Sequence, residues 1–243
     1  MKKTTIENII KKYSLAGRAQ QVRWKVEDKT LQIEYRDQTG LFRTSARFEN
    51  FDFESTEIGI YATDSLKSIL SALDTDFEMK LAYERNKVVG LSFEDSAITA
   101  KFLLASLEVI PECPPVKSVP DTHISFSLDK ETMNRFAKSL AALKSGSSMT
   151  NLAIFTAGNA IELVLNYHPT TNTNRITLNL EGDVNQQVVE PIAFNANLMC
   201  DIFDANKDCI DATVEISLAG LMKLNFVGED WTTTYLTNRV DIV

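Results

Sequence analysis

The sequence has few glycines, prolines, cysteines and histidines, and it contains no long apolar run. Its 243 residues include nine glycines, six prolines, three cysteines and two histidines. Because no apolar stretch reaches the roughly 18 residues that a membrane span needs, we expect no transmembrane helix. The opening residues MKKTTIENIIKKY carry lysines but no apolar core region, so we also expect no secretory signal.

The small number of cysteines and histidines argues against a disulfide framework or a metal centre. Cys113, Cys200 and Cys209 show no paired spacing, which is typical of free thiols in a reducing cytoplasm. His123 and His168 form no HExxH pattern, and no GxSxG, Walker A or GxGxxG motif occurs. The acidic pairs lie at predicted turns, where solvation explains them. We therefore expect no metal, no cofactor and no enzymatic activity.

Positive charge is in deficit. The chain has 25 lysines and arginines against 33 aspartates and glutamates, which gives a formal net charge of −8. This balance argues against a generally basic nucleic-acid binder, but it leaves open a protein whose cations gather on one surface. The hydrophobic content of 44% supports a sizeable core, and the mixed charges argue against disorder. The length suits one large domain or two small ones.

Four of the six prolines lie together near the middle of the chain, in VIPECPPVKSVP at residues 109–120. Proline fixes φ, lacks an N–H donor and biases the preceding residue toward extended geometry. The segment cannot continue a helix or form a central strand, so it predicts an extended connector. Two functions remain open for it: a plain interdomain linker, or one wall of a binding site.

The order of predicted elements repeats on the two sides of this connector. In the first half, a helix over residues 4–16 precedes short strands, a helix over ATDSLKSILSALD and three more strands. In the second half, helices over DKETMNRFAKSLAALKS and NANLMCDIFDA take the equivalent places. Asp129 is the expected N-cap of the third helix, and Thr63 or Asp64 that of the second. The pattern predicts two similar α+β domains: domain 1 at 1–107, a connector at 108–121 and domain 2 at 122–243.

The leading helix of each half carries positive charge away from its apolar stripe. On the first helix Lys11 and Lys12 are predicted to face solvent, and on the third Arg135 and Lys138. A single such face is ordinarily just solvated, but two at equivalent places predict a surface that contacts phosphates without reading bases. The candidate DNA-facing residues are Lys2, Lys3, Lys11, Lys12, Arg18, Lys67, Lys130, Arg135, Lys138 and Lys144.

The order of elements, the length and the connector resemble those of DNA sliding clamps, and most of all the two-domain clamps of T-even bacteriophages. The likeness rests on the opening helix, ATDSLKSILSALD, VIPECPPVKSVP, and GLMKLNF followed by DWTTTYLT. It implies duplicated clamp-type domains, each with two helices packed on antiparallel sheets. It also implies a homotrimeric ring around double-stranded DNA that tethers a DNA polymerase and is placed by a clamp loader. Such a ring acts in the cytoplasm, which would be the host cytoplasm for a viral protein.

The resemblance also implies a function for the connector. In clamps, short motifs of the polymerase and other partners dock in a hydrophobic pocket under the interdomain connector, and prolines would keep that wall preorganised. By contrast, the last predicted helix carries Asp201 and Asp204, so we assign no DNA contact to it. The implied pocket residues are Leu41, Ala46, Phe48, Val109, Ile110, Pro111, Val116, Pro120, Tyr235, Leu236 and Thr237.

Two other classes of protein stay open. A phage capsid or tail protein would share the β-rich character, but it would not predict matched basic helices or a mid-chain connector. A metal-dependent nuclease is less favoured, since no carboxylate cluster is evident in the sequence. The product length of a DNA polymerase, measured with and without the protein, would separate a clamp from both.

Overall fold

The computed structural model describes residues 1–116, 118–143 and 151–242, so the candidate Lys144 lies outside the described residues. The chain divides into two compact units, and the boundary between Pro114 and Pro115 falls inside the expected connector. Unit 1 comprises Met1–Asp37, Thr44–Pro114 and Asp230–Thr232, and unit 2 comprises Gln38–Arg43, Pro115–Glu229 and Thr233–Val243.

Each unit contains two helices and antiparallel strands. The helices are α1 (Lys3–Ser14) and α2 (Thr63–Ala72) in unit 1, with a 3₁₀ helix at Leu107–Val109, and α3 (Lys130–Leu143) and α4 (Ala196–Ala205) in unit 2. The strands mainly in unit 1 are β1 (Val22–Glu27), β2 (Thr30–Arg36), β3 (Phe42–Phe48), β4 (Thr56–Ile60), β5 (Glu78–Glu84), β6 (Lys87–Glu94) and β7 (Thr99–Leu103). Those mainly in unit 2 are β8 (Ile124–Ser127), β9 (Asn151–Ala157), β10 (Ala160–Leu165), β11 (Ile176–Glu181), β12 (Asp183–Val184), β13 (Ile192–Asn195), β14 (Asp211–Ser217), β15 (Leu221–Val227) and β16 (Trp231–Asn238).

In unit 1 the strands run in the orders β3-β2-β1-β4 and β5-β6-β7. Two-residue turns join β1 to β2 and β5 to β6, and the turn between β1 and β2 has positive φ at both Asp28 and Lys29. Positive φ at both turn residues gives the twist that suits a tight hairpin. The apolar stripe of α1 is buried as predicted, and the Tyr13 ring packs edge-on against Trp24 with centroids 6.4 Å apart.

In unit 2 the strand orders are β12-β8-β14-β15-β16 and β11-β10-β9-β13. Helix α4 packs on β9 and β13, and α3 packs on α4. The α3–α4 contact includes an edge-on pair of Phe136 and Phe203 with ring centroids 5.1 Å apart. Asp129 caps α3 as predicted, because its carboxylate accepts the Thr132 N–H at 2.6 Å. The predicted duplication of an α+β arrangement is therefore confirmed.

Cys113, Cys200 and Cys209 are not joined by disulfides. Across the described ranges, no helix has the length and apolar character needed to cross a membrane.

Candidate functional site

The exposed face of α3 carries three of the predicted DNA-facing cations: Lys130, Arg135 and Lys138. Arg135 pairs with Glu131 one turn earlier, and their side chains are 67% and 70% exposed. An ion pair as exposed as this is weak, so a phosphate can replace the carboxylate as the partner of the guanidinium. Because Thr132 donates its N–H to Asp129, the pKa of the Asp129 carboxyl is lowered, and the cap keeps its charge. The face is thus a cationic surface on a well-defined helix.

Lys12 on α1 is buried, which corrects the prediction that it faces DNA. Its Nζ lies 3.7 Å from the centroid of the Trp231 ring and donates to Oδ1 of Asn8 at 3.0 Å. Lys12 follows Ile9 by three residues, so it lies at the border of the apolar stripe, and Trp231 covers that border. Lys11 remains exposed on this helix.

Two other predicted cations of unit 1 stabilise its helices. The Lys3 ammonium donates to the carbonyl oxygens of Ser71 at 3.1 Å and Leu73 at 2.9 Å, where it satisfies acceptors at the end of α2. The Lys67 ammonium donates to the hydroxyl of Ser14 at 3.1 Å. Both lysines are half-buried, so they offer less charge to a ligand than an exposed lysine does. The exposed candidates of unit 1 are Lys2, Lys11 and Arg18.

Helix α4 carries acidic side chains, in contrast to the cationic face of α3. On α4, Asp201 is half-buried and Asp204 pairs with Lys207. Within residues 1–116, 118–143 and 151–242, no group of three or more histidine, cysteine, aspartate or glutamate side chains could hold a metal ion.

The connector exposes apolar side chains. Val109 is 58% exposed and Val116 is 44% exposed, and Pro111 and Pro120 are also exposed. Ile110 is buried, which corrects its assignment as a side chain that a peptide can reach. Exposed apolar groups on a stiff segment are what a docking wall needs.

Four of the predicted pocket residues, on β3 and β16, are buried because of strand alternation. On β3 and β16 every second side chain points into a core, because successive residues of a strand face opposite sides. Leu236 on β16 stays half-buried, as does Leu41, which directly precedes β3; the Leu41 carbonyl accepts the Asn238 N–H at 3.0 Å. The buried residues, which a partner cannot touch without rearrangement, are Ala46, Phe48, Tyr235 and Thr237.

Two strand edges were missed by the sequence reasoning. No strand pairs with β7 beyond β6, or with β11 beyond β10, in the part of the chain that the structure describes. Leu103 on β7 is 68% exposed, and β11 alternates half-buried and exposed side chains along ITLNLE. The alternation of apolar and polar residues in ITLNLE was the sequence signal that could have identified the β11 edge. Such edges present backbone groups that a strand of another chain can pair with.

The fold is that of PCNA, while the chain matches no protein-family model and no curated protein sequence. The Entamoeba histolytica PCNA superposes with a TM-score of 0.72 at 14% identity, covering 99% of this chain and 96% of that one. A. fulgidus PCNA, solved with the C-terminal region of FEN-1 bound, gives a TM-score of 0.76 at 14% identity, with 99% and 97% covered. The PCNA2–PCNA3 complex from Sulfolobus tokodaii gives a TM-score of 0.72 at 10% identity, with 98% and 97% covered. The similarity spans the whole chain.

Proposed function

We propose that this protein is a DNA sliding clamp: a ring that encircles duplex DNA and tethers a DNA polymerase. The observation that carries the proposal is the PCNA fold over 99% of the chain. The cationic face of α3 supports it, since a ring that slides needs phosphate contacts that ignore sequence. A capsid or tail protein would not need such a face, and a metal-dependent nuclease would need a ligand cluster.

The proposal is tested by threading the protein onto a linear duplex that carries biotin at both ends. Streptavidin is added after incubation, and bound protein is measured after dilution. A ring should stay on blocked DNA and run off open DNA, because only topology holds it there. Equal loss from both substrates would overturn encirclement. Polymerase product length on a primed template, with a clamp loader present, then tests the tether.

The ring is proposed to be a homotrimer. Two units in one chain are too few to surround a duplex, and a closed ring needs head-to-tail contacts between copies. We assign these contacts to the edge of β7 in one copy and the edge of β11 in the next. Pairing would complete both sheets and bury Leu103 against the half-buried apolar residues of β11, which are Ile176, Leu178 and Leu180.

Native mass spectrometry should give three times the 27.2 kDa chain mass. Leu103→Asp should weaken each interface at least about thirtyfold, since burial of a leucine contributes about 2 kcal/mol and the carboxylate adds a desolvation cost. The matched control is Val189→Asp, because Val189 is 93% exposed and lies off both edges. A wild-type monomer at high micromolar concentration, or a trimer of the Leu103 variant as stable as that of the control, would contradict the assignment.

Partner proteins are proposed to dock a short apolar motif against the connector. Val109, Pro111 and Val116 supply exposed apolar surface, and the motif would also contact Leu41 and Leu236. The prolines reduce the ordering entropy that binding would otherwise cost. DNA polymerase, clamp loader and other DNA-acting proteins would share this surface and compete for it.

The double variant Val116→Asp with Leu236→Asp should weaken peptide binding at least about thirtyfold, because docking of this kind concentrates its free energy in a few apolar anchors. Isothermal titration calorimetry with the C-terminal peptide of FEN-1 measures the affinity, and Val189→Asp is the control. Ile110 is unsuitable for this test, because its burial means that a substitution perturbs unit 1. A variant that binds as wild type does would remove these residues from the surface.

A further inference from the structure

At the start of the connector, the Arg23 side chain donates hydrogen bonds to two backbone carbonyl groups. Nη2 of Arg23, on β1, donates to the carbonyl oxygen of Leu107 at 2.8 Å and to that of Ile110 at 3.0 Å. Nε donates to the same Ile110 oxygen at 3.3 Å. The Arg23 side chain is only 26% exposed, so water competes weakly for these charge-assisted bonds. The guanidinium thereby ties both ends of the 3₁₀ turn to the sheet.

The arginine itself is held in a fixed place. Its strand lies between β2 and β4, where Arg23 is in register with Glu34 on one side and Gly59 on the other. Nη1 of Arg23 also lies 3.4 Å from Oε1 of Glu57, a longer contact than those to the carbonyl oxygens. A donor mounted on an inner strand of a sheet moves little, so its position defines the position of the carbonyls that it binds.

Gly59 makes the close approach of the connector possible. A Cβ atom at this position would lie 2.8 Å from the Ala105 carbonyl oxygen and 3.0 Å from Cγ1 of Ile110. The Ala105 N–H donates to the Gly59 carbonyl oxygen at 3.0 Å, and Ile110 is buried. The segment therefore lies directly on β4 until Ile110 and leaves the sheet at Pro111.

We propose that Arg23 is a positioning residue for partner binding, which sets where the connector leaves the sheet; this inference rests on the proposed function. Because the φ of Pro111 is fixed and Pro111 also restricts the backbone of Ile110, a change in the position of Ile110 is carried into the segment that follows. Without the guanidinium, the Leu107 and Ile110 carbonyls lose charged donors and the connector populates other positions. The affinity for a peptide then falls with the fraction of chains whose connector is in the competent position.

The experiment compares Arg23→Met, Arg23→Lys and Glu57→Gln, with Arg47→Met as the matched control. Arg47 is an arginine of the same unit that pairs with Glu49 through Nε. Hydrogen exchange measures protection at the Val109 and Ile110 amides, which donate to Ser106 and Leu107. Calorimetry with the FEN-1 C-terminal peptide measures affinity, and urea unfolding and native mass report the fold and the ring.

Arg23→Met should raise exchange at these two amides about tenfold and weaken peptide binding about tenfold, with the trimer mass unchanged. Arg23→Lys should lie between it and wild type, because an ammonium is a point donor and does not reproduce the planar fork. Glu57→Gln and Arg47→Met should match wild type, since both keep the carbonyl bonds.

A coupling measurement separates positioning from general stability. In a chain whose residues 112–115 are replaced by glycine and serine, which keeps Val109, Pro111 and Val116, Arg23→Met should have no further effect on peptide affinity, because a flexible connector does not transmit direction. An equal tenfold loss in both backgrounds would overturn the inference, as would unchanged exchange and affinity in Arg23→Met alone. If wild type binds no peptide, the docking part of the proposed function fails; if wild type binds and Arg23→Met binds equally, only the inference fails.

Discussion

Replacement of Lys130, Arg135 and Lys138 by glutamate is expected to reduce the affinity for duplex DNA at least about a hundredfold at low salt, measured by titration before either DNA end is blocked, because phosphate contacts dominate such binding. All three side chains are exposed on α3, away from its buried face, so the fold should be unaffected. A trimer would lose three sets of cations at once. Raising the salt concentration should shrink the difference from wild type, since screening weakens the same contacts in the intact ring.

A charge-matched control distinguishes a local surface from net charge. Lys25, Lys29 and Lys80 are exposed and pair with acidic side chains elsewhere in unit 1. Their replacement by glutamate changes the net charge by the same amount, but it should leave most of the affinity for duplex DNA. An affinity that falls equally in both triple variants would show that net charge is responsible, and the assignment of α3 would be wrong.

Asn206→Ala is expected to lower the free energy of unfolding by about 3 kcal/mol, because it leaves buried polar groups without partners. Asn206 is fully buried at the end of α4, and its amide donates to the Ile202 carbonyl at 2.7 Å and to the Tyr235 hydroxyl at 2.9 Å. The Thr233 hydroxyl donates to its Oδ1 at 2.8 Å. Urea unfolding at neutral pH measures the change.

Two further variants sharpen this result. Tyr235→Phe should cost less, about 1 kcal/mol, because the Asn206 amide keeps its bond to the Ile202 carbonyl. Asn134→Ala, on the exposed face of α3, should stay within about 0.5 kcal/mol of wild type. Burial raises the pKa of the Tyr235 hydroxyl, so it remains a neutral partner throughout the neutral range. An Asn206 variant as stable as the Asn134 variant would contradict the network.

Features fixed by neighbours in the chain could be predicted from the sequence. The Asp129 cap depends on an N–H three residues away, and the β1–β2 turn depends on Asp28 and Lys29 alone. The apolar stripes of the helices follow from a period of about 3.6 residues. The repeated order of helices and strands and the proline connector were visible for the same reason, because each is a property of short, contiguous segments.

Features that join distant segments could not be predicted in this way. Helix α2 has no side-chain cap from Thr63 or Asp64; instead Gln20 supplies it, since its Oε1 accepts the Asp64 N–H at 3.1 Å. Lys12 was placed among exposed cations, yet the ring of Trp231 covers it. Helical spacing gives the direction of a side chain relative to its own helix, and it does not say what packs there.

The candidate surfaces also combine features that the sequence predicts with features that only the tertiary structure decides. The sequence was enough to identify the duplicated α+β fold and the exposed cations of α3, both of which depend on local spacing. Folding settled which of these groups a ligand can reach, because exposure depends on residues far apart in the chain. Strand register buries Tyr235 and leaves Leu236 half-buried, and the Ile110 side chain packs close to Gly59 while Val109 beside it stays in solvent.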